Sequence, residues 1–184
     1  MRFVFYALLF LAATAVLLTL TSLLLTPKTV GPAIAPVPES HREPIVQVYG
    51  ADVWGIRGRF AIHTWVATKD WDAPTYTIYQ VIGWRLRRTG TALSVSTGMP
   101  NRPWFRSPPL LLHEVRGPDA GGLIRQIETA VERYPYARQY TMWPGPNSNS
   151  FIEWIALSVP ELKLTLPAKA LGARWMRDNF PTRD

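Results

Sequence analysis

From Phe3 to Leu25 the chain is one apolar run without a charge, broken only by Thr14, Thr19, Thr21 and Ser22, whose hydroxyls can bond back to helix carbonyls. Wound as an α-helix it reaches about 34 Å, against a bilayer hydrocarbon core of about 30 Å. That is long enough to cross, and it predicts one N-terminal transmembrane helix over residues 1–26. The competing reading is a cleaved signal peptide, for which Ala33-Ile34-Ala35 has the small-x-small form. That tripeptide lies well past the apolar run, however, and is followed by Pro36, a poor residue beyond a scissile bond. Arg2 on one side and Lys28 on the other favour the N-terminus inside and the remainder outside the cytoplasm. Pro27, Pro32, Pro36, Pro38 and Pro44 then predict an extended, semi-rigid linker over residues 27–44.

Residues 45–184 are left for one soluble domain, rich enough in aromatic and branched side chains to bury a core. The chain has no cysteine, which excludes disulfides and Cys-ligated zinc. His41, His63 and His113 are not spaced as ligands; no metal site and no cofactor is expected, and His113 reads as a surface residue. Lys plus Arg outnumber Asp plus Glu by 20 to 13. The excess fits an anionic partner, either the membrane itself or an anionic envelope ligand or lipid. Trp84 with Arg85, Arg87 and Arg88, and Trp104 with Arg102 and Arg106, repeat a basic-aromatic theme suited to anionic lipid or single-stranded nucleic acid. Nucleic acid is the disfavoured partner, because arginines at 85, 87 and 88 read as the wet face of a strand and tryptophans as core and pocket wall.

The pattern predicts an α+β fold, an antiparallel sheet with packed helices. Strands are expected at 45–49, 61–68, 76–82 and 92–96, with residues 69–74 turning the second into the third as a hairpin, and 100–109 too rich in proline for regular structure. Gly117-Pro118-Asp119 opens a helix in which Leu123, Ile124, Ile127, Val131 and Tyr134 share a face, and Pro135 stops it. A second helix is expected to start within 147–150, where Ser150 and Glu153 have capping-box spacing, and to end at Pro160.

Two places carry potential chemistry: His63 on the second strand, and Asn147-Ser148-Asn149-Ser150-Phe151 at the start of the second helix. A hydroxyl at a helix N-terminus sits among free N–H groups at the positive end of the dipole, a place for an anion or a developing oxyanion. The helix-start motif resembles the Asn-Cys-Asn-His-Phe or Asn-Cys-Glu-His-Phe motif of the circularly permuted papain-like hydrolases, which include the PPPDE peptidases and lecithin:retinol acyltransferase-like enzymes. In both, the strand His precedes the helix-start residue. More closely, His-Thr-Trp at 63–65, Gly-Pro-Asn-Ser-Asn-Ser-Phe at 145–151, Tyr-Pro-Tyr at 134–136 and Val-Pro-Glu-Leu at 159–162 resemble the bacterial domain of unknown function 3750 family.

The resemblance implies a permuted papain-like arrangement; with the expected anchor and its orientation, the chain reads as a bacterial inner-membrane protein with its domain on the extracytoplasmic side. The resemblance also implies Ser148 as nucleophile and His63 as base. Hairpin register puts Gln80 opposite His63 as its orienter, a one-residue slip putting Tyr79 or Val81 there instead. Asn147, Asn149, Trp65 and Trp143 are the expected pocket residues. The departure is Ser148, which stands where the papain-like motif has Cys: a thiol there ionises readily, whereas a serine needs its proton removed during attack. Two functions follow. One is a non-catalytic domain binding an envelope ligand or partner. The other is a serine-dependent hydrolase or acyltransferase acting on an envelope amide or ester. Against both stands the plainer reading that Ser148 and its neighbours only cap a helix.

Overall fold

The computed structural model describes residues 6, 10, 12–14 and 35–181. Positions 6, 10 and 12–14 are helical, and among the described residues no helix is long and apolar enough to cross a membrane. The rest of the expected anchor, and the expected linker as far as residue 34, lie outside the described residues. From Ala35 onward the chain is already docked on the domain. Ala35 is buried, the Pro36 carbonyl accepts from Tyr76 Oη at 2.9 Å, and Arg42 pairs with Asp72 at 2.6 Å. Residues 35–44, expected as part of the linker, thus pack on the domain.

The domain is α+β. Strands β1 (Ile45–Asp52), β2 (Ile62–Lys69), β3 (Thr77–Val81), β4 (Leu93–Thr97) and β5 (Leu110–Arg116) form one antiparallel sheet in the order β4-β3-β2-β1-β5. Helices α1 (Gly83–Thr89), α2 (Pro118–Glu132), α3 (Ser148–Ser158) and α4 (Ala173–Asp178) complete it, with a 3-10 turn at Gly55–Arg59 between β1 and β2. The apolar face expected of α2 is buried: Leu123, Ile124, Ile127 and Val131 meet Val46, Val48, Val66 and Tyr79 of the sheet and Phe151 and Ile155 of α3. Each such side chain contributes about 1.5–3 kcal/mol by leaving water. The opposite sheet face holds Tyr49, Trp65, Ala67 and Tyr76 beneath the irregular 98–107 segment, whose Met99 and Trp104 pack on it.

Three local expectations are corrected. Arg85, Arg87 and Arg88 are on helix α1, not on a strand, because β3 ends at Val81, Ile82 caps the helix start, and Gly90, with φ +73°, ends the helix through its free left-handed conformation. β5 was not expected. Its residues are half-buried on both faces at the sheet edge, so its pattern lacks clear alternation, and His113 is a half-buried strand residue rather than a surface one. The capping box of α3 is Asn147 with Ser150, three residues before the expected pair; Glu153 instead binds Arg177 at 2.7 Å.

Candidate functional site

Antiparallel pairing extends β2 to Ile62, where the chain leaves the 3-10 turn, and this places His63 near the end of the sheet. Side chains alternate along a strand. Residues 65 and 67 face the 98–107 segment, whereas 66 faces the helices. His63 belongs with Trp65: the two rings stack at 5.9 Å, and the imidazole lies flat on Trp104 at 3.7 Å with 6° between planes. Thr64 points the other way and donates to Asn149 Oδ1 at 2.9 Å, tying the first turn of α3 to the strand.

Val66 pairs with Tyr79, two residues out of the expected register, so Gln80 falls beside Trp65 rather than opposite His63. A two-residue shift preserves the face. Gln80 Oε1 accordingly reaches His63 Nε2 on the diagonal, at 3.0 Å. A carbonyl oxygen only accepts, so Nε2 carries the proton and Nδ1 has none. The imidazole is buried, and desolvation pushes its pKa down to about 4 against a smaller upward pull from Gln80. His63 is neutral at pH 7.

The first turn of α3 is stitched almost completely. Asn147 Oδ1 accepts from the N–H groups of Asn149 (2.9 Å) and Ser150 (3.1 Å), while its Nδ2 donates to the carbonyls of Met142 (3.0 Å) and Leu171 (3.1 Å). Asn149 Nδ2 donates to Ile62 O and Leu171 O. Both asparagines touch the cleft described next, yet their polar atoms are committed to the scaffold. Capping also removes most of the expected oxyanion donors. Among the described residues, the N–H of Ser148 is the one in this turn left without a partner, and the Ser148 hydroxyl makes no hydrogen bond to His63 or to any other side chain.

His63 and Ser148 line one open cleft of about 460 Å³ at the end of β2. Its walls are apolar and aromatic: Trp54, Phe60, Trp84, Phe105, Tyr140 and Trp143. Among the described residues, no Asp or Glu lines it. Of the expected pocket residues, Trp143 is on this wall, but Trp65 is not. It is buried on the far side, stacked on Tyr49 at 5.5 Å with Nε1 donating to Pro100 O, and it borders a separate cavity with Gln80 and Arg102. Trp54, Phe60 and Phe105 were not anticipated as site residues, and Trp84 and Trp104 were expected only within a basic-aromatic theme, not on the wall of this cleft. They come from turns, a short helix and an irregular segment, where no periodicity marks a common face; their one signal was an aromatic residue within two positions of an Arg or Gly. Among the described residues, no group of His, Asp and Glu is placed to hold a metal ion.

A family model described as "Protein of unknown function (DUF3750)" matches residues 43–175. No curated protein and no solved structure matches the chain.

Proposed function

This chain belongs to the DUF3750 family of proteins of unknown function, and on that premise we propose that its domain is a non-catalytic receptor for an apolar, acyl-type ligand, held in the cleft with its polar end at Ser148. The observation that carries this reading is the lining: an open volume of about 460 Å³ walled by indole and phenyl rings, whose polar floor at Ser148 offers one unpartnered N–H and one hydroxyl. Transfer of an alkyl chain into such a cleft is favourable by about 0.8 kcal/mol per buried methylene. The floor then selects a carbonyl or carboxylate at one end.

Three features weigh against chemistry at this site. Ser148 has no thiol to ionise. No hydrogen bond readies its hydroxyl for proton transfer to His63. And an imidazole with a pKa of about 4 is a weak base at neutral pH.

A second reading, a serine hydrolase or acyltransferase in a permuted papain-like arrangement, is favoured by one observation. Gln80 holds His63 Nε2 and leaves Nδ1 unprotonated, as an orienter would in a serine-dependent site. In that reading Ser148 attacks a carbonyl, His63 takes its proton, and the Ser148 N–H steadies the oxyanion.

The full-length chain in nanodiscs separates the two. A photoreactive diazirine fatty acid is expected to cross-link to cleft residues, in competition with unlabelled fatty acid. Ser148→Ala is expected to weaken binding by no more than about tenfold, the worth of one neutral hydrogen bond. A fluorophosphonate probe is expected to leave Ser148 unmodified. Cross-links scattered outside the cleft defeat the receptor reading; a fluorophosphonate adduct that disappears in Ser148→Ala replaces it with the hydrolase.

A further inference from the structure

The cleft mouth gathers several large exposed apolar side chains. On one side, the segment around the 3-10 turn at Gly55–Arg59 holds Trp54 75 %, Ile56 70 % and Phe60 68 % exposed. Across the cleft the loop before α3 presents Met142 and Trp143, 63 % and 66 % exposed. The turn that carries three of them is tied down. Lys169 Nζ clamps the turn through Gly58 O at 2.9 Å and Asp52 at 2.7 Å, and Arg57 Nη1 reaches Met142 Sδ at 3.9 Å across the mouth. Exposed tryptophans and aliphatic side chains grouped in this way mark an interaction surface.

The charge on this surface selects the partner. Arg57 and Arg59 alternate with the apolar side chains of the turn, and the cleft behind them has no carboxylate. Indole rings with interleaved arginines match the two layers of an anionic bilayer surface, headgroups and upper acyl chain. A protein partner of matching charge would need an acidic apolar face, for which nothing here argues. Reach agrees with the bilayer: the ten or so residues between the apolar run and Ala35 extend at most about 36 Å, so a domain leashed to that run stays within one domain diameter of the lipid.

We propose that the rim formed by Trp54, Ile56, Phe60, Met142 and Trp143, with Arg57 and Arg59, docks the domain face-down on an anionic phospholipid bilayer, so that the cleft opens onto the acyl layer. Docking does not require the cleft to be filled, so it stands or falls apart from the receptor reading. It supplies that reading with a route by which an acyl chain enters without crossing water.

All eight tryptophans of the chain lie at or beyond residue 54, none in the apolar run. Quenching of tryptophan fluorescence by brominated lipid in proteoliposomes of the full-length chain therefore reports the domain and not the anchor. Strong quenching is expected in brominated phosphatidylglycerol, reduced in brominated phosphatidylcholine and in about 1 M salt, where the screening length falls to about 3 Å. Each basic side chain at an anionic surface is worth on the order of fivefold in binding. The exposed Arg57→Glu, Arg59→Glu double variant is accordingly expected to lower docking by at least about 25-fold with an unchanged circular dichroism spectrum, and Trp54→Ser with Trp143→Ser to remove most of the quenching. Absence of quenching in the wild type, or quenching that survives the arginine reversal in full, overturns the proposal.

Discussion

Gly172→Ala is expected to destabilise the domain by at least about 3 kcal/mol. Gly172 has φ +108°, where an L side chain is strained, and a Cβ there would lie closer to the Asn147 amide than van der Waals contact allows. The amide cannot retreat. Its oxygen accepts from Asn149 and Ser150, and its nitrogen donates to Met142 and Leu171, so moving it strands several buried groups at once. The Gly172 carbonyl is itself bound by Ser150 Oγ at 2.8 Å. Gly90→Ala is the control: φ is also positive, +73°, but the new methyl meets open space, and about 1 kcal/mol is expected. Denaturant midpoints of the two variants in detergent micelles measure the difference. Equal midpoints would mean that Asn147 does not lock the loop before α3 to the loop before α4, and that the floor of the cleft is not rigid.

The second expectation concerns pH. His63 titrates near 6.5 in the unfolded chain and near 4 in the folded one, because burial beneath Trp104 excludes the charged ring. Above about pH 6.5 both forms are neutral and folding is indifferent to the proton. As pH falls below that value the unfolded chain takes up a proton that the folded chain refuses. Stability therefore drops by about 1.4 kcal/mol per pH unit, and by about 3 kcal/mol in all on reaching pH 4. Glu114, whose carboxyl is held below its usual range by Arg116 and Gln47 against desolvation, adds its own loss only below about pH 4.5, near the foot of this window. His63→Asn is expected to flatten the slope between pH 6.5 and 4.5. The same slope in wild type and variant, or an imidazole proton resonance of His63 that titrates near 6.5, would show the ring to be wet.

Residues with periodic burial were legible in advance. The α2 face from Leu123 to Val131 repeats at helical spacing because one helix side meets the sheet, and β1 and β2 announce themselves by β-branched side chains. The pairing of His63 with Gln80 was reached through a register two residues off. It was recoverable because an even slip leaves every side chain on its own face. The assignment of Trp65 to the cleft failed for the complementary reason. Strand position says which residues share a face, but not which loop covers that face, and the 98–107 segment seals Trp65 under Met99 and Pro100. Asn147 and Asn149 looked like pocket chemistry and serve mainly as scaffold, since an amide beside a helix start has the same appearance in either role until its partners are known.

By itself the sequence established the uncharged N-terminal run, the absence of cysteine chemistry, the α+β class, and a helix beginning within residues 147–150. Each is a property of composition or of short-range spacing, which local energetics dictate. Only the tertiary structure decided that Asn147 consumes the helix donors, that Trp104 lies flat on His63 and drives its proton off, and that rings from four separate segments enclose one cleft. Those outcomes depend on contacts between residues far apart in the chain, and contact at that range is set by how the sheet and helices pack, a quantity no local pattern contains.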